Sequence, residues 1–411
     1  MATIRCSKSL YDVNIFSYKK QHTTDEDTYS VQTWKNHIVA NSEPFKPAIY
    51  LWLLSCILAL LVLAGCDAGR FKASSGWSGA VVADDVIYIG SRQAELLALD
   101  KENGTLRWSF SGDRDNGLEG IYGSPAVTEE LVFLGAYNGT LYALDRTNQI
   151  EVWDFPTEHR IVGSPTVASD TVLVGTSGGN LHALDAKNGF EKWRFQTGNK
   201  IWSSPIVYDN TVYFGSLDHR VYAVTLDDGQ EKWHFETGGA VASSPLIMNG
   251  RIYIGSFDRK FYSLDAETGA EVWASPFKAE NWFWSTAVSD GANIYVGSLD
   301  GNLYALNANT GIPAWPAPLE TGEPIISAPV VIPEGIVVAN DKGDVFLVRK
   351  QDGKEIRSFS VKDHIRAPLS HTESIVYISA MNHSIRATDM EGGFWRELWC
   401  YDSEKSTQRC E

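Results

Sequence analysis

The sequence predicts an all-β fold: an eight-bladed β-propeller of four-stranded antiparallel blades, preceded by a signal or membrane segment. Three observations predict it. Tryptophans at 108, 153, 193, 233, 273 and 315 recur every 40 to 45 residues, the period of propeller blades. Within one period, residues 201–238 divide into four short apolar runs, read as strands at 202–207, 211–215, 221–226 and 231–236, with Asp, Asn and Gly between them. Runs of that length and punctuation form an antiparallel meander. Other columns hold the same phase: Trp77, Tyr122, Val162, Trp202, Ala242 and Trp284 each stand thirteen residues before a glycine, and prolines recur at 125, 165, 205, 245, 329 and 368. Eight units follow, starting near Gly76, Tyr122, Val162, Trp202, Ala242, Trp284, Ile326 and Ile365.

Each unit carries a reason for its shape. Six have the spacing Ala-x-Asp-x-x-x-Gly-x-x-x-Trp, complete in Ala98-Asp100-Gly104-Trp108 and Ala183-Asp185-Gly189-Trp193; Gln149, Thr225, Ser263 and Asn307 vary one member each. The Asp caps the turn between third and fourth strands, the Gly supplies its positive φ, and the Trp is expected to lie flat across the neighbouring blade. One buried indole ring removes ~150–250 Å² from water, roughly 4–6 kcal/mol gross. Trp108, Trp153, Trp193, Trp233, Trp273 and Trp315 are therefore expected as packing residues. In units seven and eight, Arg357 and Glu397 fall in the tryptophan column, with Ile356, Trp395 and Trp399 nearby as substitutes.

On these motifs the stretch 76–401 resembles the quinoprotein (PQQ-like) β-propeller superfamily, and its architecture is similar to that of BamB-type lipoproteins of outer-membrane barrel assembly. The resemblance implies fold firmly and function weakly, because one fold hosts many activities. Quinoprotein dehydrogenases would imply a quinone over the ring axis, a metal bound by carboxylate and amide oxygens, a catalytic Asp, and often a disulfide between adjacent cysteines. The chain has no Cys-Cys pair, and Asp100, Asp145, Asp185 and Asp265 recur with the repeat rather than standing alone. BamB-type relatives imply a scaffold without enzymatic activity whose loops dock a partner. The residues before the prolines are mostly Gly-Ser or Ser-Ser here, as in Gly163-Ser164 and Ser203-Ser204, so the architecture carries over and the relative's contact residues do not.

The parts outside the ring follow in order. Residues 1–47 are polar and aperiodic, read as a disordered tail or a mis-assigned start. Residues 48–66 hold seventeen nearly unbroken apolar positions ending in Leu63-Ala64-Gly65-Cys66, which resembles a lipobox in which Cys66 becomes lipidated; the alternative is an uncleaved signal anchor. Residues 67–75 link it to the propeller, and 402–411 form a tail; Cys400, just before the tail, and Cys410 within it are a possible disulfide or two free thiols. Either reading of the apolar stretch places the propeller outside the cytoplasm and on a membrane: plasma-membrane outer face, periplasm or outer membrane.

A formal charge of −16 argues against nucleic acid as a partner. The histidines at 159, 182, 219, 234, 364, 371 and 383 show no metal-ligand spacing and are read as solvated loop residues. No catalytic, cofactor or metal residues are expected. The remaining candidate is a surface. Loops leading into each innermost strand gather on one face, around the channel mouth. There Trp77, Tyr122, Trp202, Trp282 and Trp284 are candidate partner-binding residues for an envelope protein or peptide, inner-channel packing being the alternative. The lead-in segments 109–121, with Asp113, Arg114, Asp115 and Glu119, and 278–283 are the long ones. The propeller is expected to be monomeric.

Overall fold

The computed structural model describes residues 76–112, 117–408 and 410. Cys66 and the segments 1–47, 48–66 and 67–75 lie outside the described residues, as do Asp113, Arg114 and Asp115. Among the described residues no helix is long and apolar enough to cross a membrane.

Eight four-stranded antiparallel sheets are formed, each from four strands consecutive in the chain. They span 81–110, 126–156, 166–196, 206–236, 246–278, 288–320, 330–360 and 370–402, numbered here as blades 1 to 8. The two middle strands of each blade are buried, as in Thr211–Ser216 and Arg220–Thr225, whereas the outer strand Glu231–Glu236 alternates with solvent. Burial on both faces explains why the middle strands read as unbroken apolar runs. The core is a ring of eight apolar seams, each shared by adjacent blades. Tyr213 and Val221 of blade 4 meet Ile252 and Leu264 of blade 5, and Ile87 and Leu99 of blade 1 meet Tyr377 and Ile385 of blade 8, which closes the circle.

The tryptophan column works by the geometry of the 3–4 turn. Gly229 has φ +70°, and a Cβ there would sit 2.5 Å from the Trp193 ring. Only glycine allows both that backbone and that approach. The indole N–H groups of Trp153, Trp193, Trp233, Trp273 and Trp315 donate to the carbonyls of Ala186, Leu226, Ala266, Ala308 and Lys350 in the following blade, at 2.8–3.1 Å. Trp108 packs on Tyr88 within the seam between blades 1 and 2. There Gln149 stands in place of the glycine, and Arg146 of blade 2 reaches back to the Tyr88 hydroxyl and to Asp84.

Four sequence readings need correction. The innermost strand of blade 4 is Ile206–Tyr208, not 202–207; residues 202–205 run irregularly along the channel, with Pro205 unable to donate to a ladder. In blade 8, Trp399 and not Glu397 fills the tryptophan column: it pairs with Ala387 and donates to the Lys101 carbonyl of blade 1 at 3.0 Å. A 3-10 turn at Glu391–Gly393 adds the residues that displaced it in the sequence pattern. Arg357 of blade 7 does hold its column, opposite Leu347, and lies over the Phe394 ring. Third, blade 8 begins one position later than its proline suggests. Ile365 is fully buried like Ile201 and Ile325, so Arg366 takes the channel position and Pro368 the position of Ser204. Fourth, His182 is not a solvated loop residue: it lies in the buried strand Asn180–Asp185, 4% exposed.

Candidate partner-binding site at the channel mouth

The meander puts the lead-in loops and the turns between second and third strands on one face. These are stitched together by backbone bonds, for example Leu217 N–H to Lys200 O, Phe257 N–H to Ala240 O and Leu299 N–H to Trp282 O. In blades 1 to 6 a glycine near the end of the second strand lets the loop come close, and Ala339 and Ser379 hold that position in blades 7 and 8. A Cβ on Gly215 would come within 2.3 Å of Val241, so the loop of the next blade seats directly on that backbone.

Trp77, Tyr122, Trp202 and Trp284 all reach the channel, where with Val162, Ala242, Ile326 and Arg366 they surround a cavity of about 100 Å³. They form two aromatic arcs. Trp77 meets Tyr122 edge-on at 4.8 Å, and Tyr122 meets Tyr137 at 4.9 Å. Trp202 and Trp284 approach to 6.0 Å over the small Ala242, and Phe257 stacks on both Trp284 and Trp282 at 5.4 and 4.6 Å. Trp282 stands outside the inner circle as an exposed ring, 37% accessible. Cations lie on these rings: Arg366 over Trp77, Arg160 over Tyr137 and Lys200 over Trp202, at 5.8, 4.7 and 5.5 Å. Such stacking is favourable by ~0.5–1 kcal/mol at exposed sites. Arg366 also grips Asp341, Nε to Oδ1 at 2.8 Å, and His364 Nδ1 lies 3.4 Å from the other oxygen of that carboxylate.

Below the rings the channel wall is hydroxylic. The N–H groups of Ser124, Ser164 and Ser204 donate to the Oγ of Ser164, Ser204 and Ser244 in the next blade, at 2.8–2.9 Å. Thr286 continues the column in blade 6, and Ala328 and Pro368 face it.

Aspartates on the same face tie blades to each other. Asp218 accepts from Tyr222 at 2.7 Å and from the Gly198 N–H of the previous blade at 2.8 Å; Asp258 does the same for Tyr262 and Gly238, and Asp300 for Tyr304 and Glu280. Burial, together with the neighbouring carboxylate, pushes the Tyr222 hydroxyl up to about 12 and the Tyr262 and Tyr304 hydroxyls well above their ordinary range. Blade 3 breaks this pattern. Gly178 replaces the aspartate and His182 the tyrosine. His182 bonds Glu191 through Nδ1 at 2.7 Å, while its Nε2 has no partner. Burial pushes the His182 pKa down, against the smaller opposite pull of Glu191. The imidazole is therefore neutral at pH 7, and the contact with Glu191 is a hydrogen bond rather than an ion pair.

Among the described residues no three His, Cys, Asp or Glu side chains converge to hold a metal ion. Among the described residues no carboxylate lines the axial cavity; Asp341, beside it, is held by Arg366 and His364. The donor set that the quinoprotein resemblance implies does not fit this mouth. Cys400 and Cys410 are bridged, with Cα atoms 5.8 Å apart.

Sequence reasoning missed Arg366, because Pro368 imitated the repeat one position out of phase. It also missed Arg160, Lys200, Tyr137 and Phe257, whose turns carry no shared residue type. The hydroxyl column was visible as Ser at a spacing of 40, but without a strand register nothing said that these side chains meet.

Fold and repeat together define a PQQ-repeat β-propeller. The chain belongs to the family described as outer membrane protein assembly factor BamB, whose model matches residues 32–216, 138–248 and 217–408. Among solved structures it is similar to BamB from Moraxella catarrhalis, at 19% identity and TM-score 0.65, covering 74% of this chain and 93% of that one. The computationally designed Ika8 protein is similar at 16% identity and TM-score 0.66, covering 76% and 96%. Quinohemoprotein alcohol dehydrogenase from Comamonas testosteroni follows at 16% identity and TM-score 0.62, covering 77% and 71%. At these identities the likeness is one of fold. No curated protein matches the sequence.

Proposed function

We propose that the propeller is a non-catalytic scaffold that captures an envelope protein or peptide at the channel-mouth face, as a monomer held outside the cytoplasm on a membrane through lipidated Cys66. The observation that carries the reading is the double aromatic arc. Eight lead-in positions serve the same packing role, yet Val162 and Ala242 fill two of them, so the fold does not require large rings there. Large, half-buried rings bring contact area at low entropic cost and anchor interfaces. Membership of the BamB family supports a role in envelope assembly, and the absence of a fitting donor set at the mouth supports binding over redox chemistry.

Trp202→Ala and Trp284→Ala test the site. Each should weaken partner capture from detergent-solubilised membranes by about 2 kcal/mol or more, with melting near wild type. Phe190→Ala, in a 3–4 turn on the opposite face and 74% exposed, should leave capture unchanged. If both tryptophan variants capture as wild type does, or melt as early as a packing variant, the site is elsewhere. The anchor has its own test: Cys66→Ser should lose label from a palmitate analogue, and equal labelling would discard lipidation.

A further inference from the structure

The wall beneath the aromatic arcs has an unspent chemical capacity. Ser164, Ser204 and Ser244 each accept one backbone N–H through Oγ. Among the described residues, no acceptor takes their hydroxyl protons or that of Thr286. A hydroxyl carries one donor and two acceptor sites. Its acceptor side is engaged by the neighbouring blade, so the proton is the part left for a guest. The four hydroxyls belong to blades 3 to 6 and border one cavity of about 100 Å³, room for one side chain and far more than a single water requires.

The charge around the opening selects the guest. Arg160, Lys200 and Arg366 lie on the rings of the mouth, and Arg366 is paired with Asp341. The acids of the lead-in loops, Glu119, Glu158, Glu280 and Glu323, are exposed, and Asp218, Asp258 and Asp300 on this face each already accept from a tyrosine hydroxyl and a backbone N–H. Among the described residues, the charged side chains laid over the rings of the opening are thus cations. A cationic guest would meet three like charges. A purely apolar guest would cover four hydroxyls without giving them an acceptor, at a desolvation cost. A carboxylate accepts about four hydrogen bonds, the number the wall offers.

We propose that the channel mouth is a socket for one acidic side chain of the docked segment, whose carboxylate oxygens take the hydroxyl protons of Ser164, Ser204, Ser244 and Thr286 while the aromatic arcs enclose its methylenes. The socket rests on the docking reading above and states what the partner must present: an exposed Glu or Asp flanked by apolar residues.

The test uses the full chain in detergent and three blocked pentapeptides, Ac-Ala-Leu-Xaa-Leu-Ala-NH2 with Glu, Gln or Lys at the centre, followed by calorimetry and tryptophan fluorescence. The Glu peptide should bind at least about tenfold tighter than the Gln peptide, as charge-assisted bonds require, and the Lys peptide should not saturate. Thr286→Val removes a hydroxyl that bonds nothing among the described residues and preserves shape, so it should narrow the Glu-to-Gln ratio with no change in melting. Ser244→Ala should do the same; because it also removes the acceptor of the Ser204 N–H, Thr286→Val decides the matter if Ser244→Ala melts early. Equal binding of the three peptides, a ratio untouched by Thr286→Val, or no saturable binding at all would each overturn the socket. Equal binding that Trp202→Ala abolishes would discard the socket and keep the docking surface.

Discussion

Trp193 and Trp202 stand nine positions apart and face different tasks. Trp193 lies on Gly229 with its N–H bonded across the seam at 2.8 Å, whereas Trp202 borders the open channel beside Trp284. Trp193→Ala should therefore cost about 3–5 kcal/mol of stability. Gly229→Ala should be as damaging, because its Cβ would enter the ring at a backbone φ of +70°. Chemical denaturation of both against Trp202→Ala, expected near wild type, checks the distinction. The sequence separated these two tryptophans because one sits after a turn glycine and the other before a proline. It did not separate His182 from the surface histidines, since burial is set by the strand register and not by the residue's neighbours in the chain. His182 makes a second prediction. Its folded pKa lies below the ordinary 6.5, chiefly through burial. Below that pH the unfolded chain therefore binds a proton that the folded one resists, and stability falls as the pH drops through the window beneath 6.5. His182→Phe should flatten that fall, seen as a smaller loss of melting temperature between pH 7 and pH 5.5.

Among the strands, the two middle members of blade 4, the unit divided in the sequence, were legible to within a residue because they are apolar, β-branched and bounded by Gly, Asn or Asp. Its outermost strand matches at 231–236, but not all blades keep outermost strands of that length. In blades 5 and 6 they shrink to Phe277–Lys278 and Leu319–Glu320, since prolines at 276, 313, 316 and 318 remove ladder donors. Trp273 and Trp315 keep their places through indole bonds across the seam and by packing on Tyr253 and Tyr295. The last strand, Arg396–Asp402, was misaligned because the inserted turn before it changes the count. That strand bears on closure: Trp399 bonds Lys101 of blade 1, and Gln408 in the tail bonds the Asn103 carbonyl at 2.7 Å. The Cys400–Cys410 bridge, spanning 10 positions, fixes the tail near this contact and contributes about 3 kcal/mol in the chain-entropy view. Trp399→Ala, and reduction of the bridge, should each lower the melting temperature. A double variant with Cys400→Ser should lose less than the sum, because both act on one contact; strict additivity would show that tail and indole act independently.

For the whole molecule, the number of blades and their order were readable from periodicity, while the chemistry of the axis was not, because it is assembled from residues 40 apart that only a closed ring brings together. Closure also sets the response to alkali. Tyr222, Tyr262, Tyr295 and Tyr304 hold their protons more tightly than free tyrosine, mainly through burial. Above pH 10 the unfolded chain ionises first and the folded one retains protons. Stability should therefore fall as the pH rises from about 10 towards 12, with tyrosinate absorbance growing in step with loss of near-ultraviolet circular dichroism. Tyrosinate that forms well before the fold is lost would contradict this. The joint between blades 7 and 8 has a further consequence. It lacks an indole bond; besides its apolar seam it is tied by Arg357 over Phe394, Phe359 stacked on Trp395, Ser374 bonded to Glu334 and Arg366 paired with Asp341. The joint between the chain's end and its beginning has the indole, the tail and the bridge. A ring parted at the joint between blades 7 and 8 would thus not become an open strip with two loose ends. Blade 8 would stay sewn to blade 1, and the chain would hang as a noose, its knot formed where the polypeptide starts and finishes.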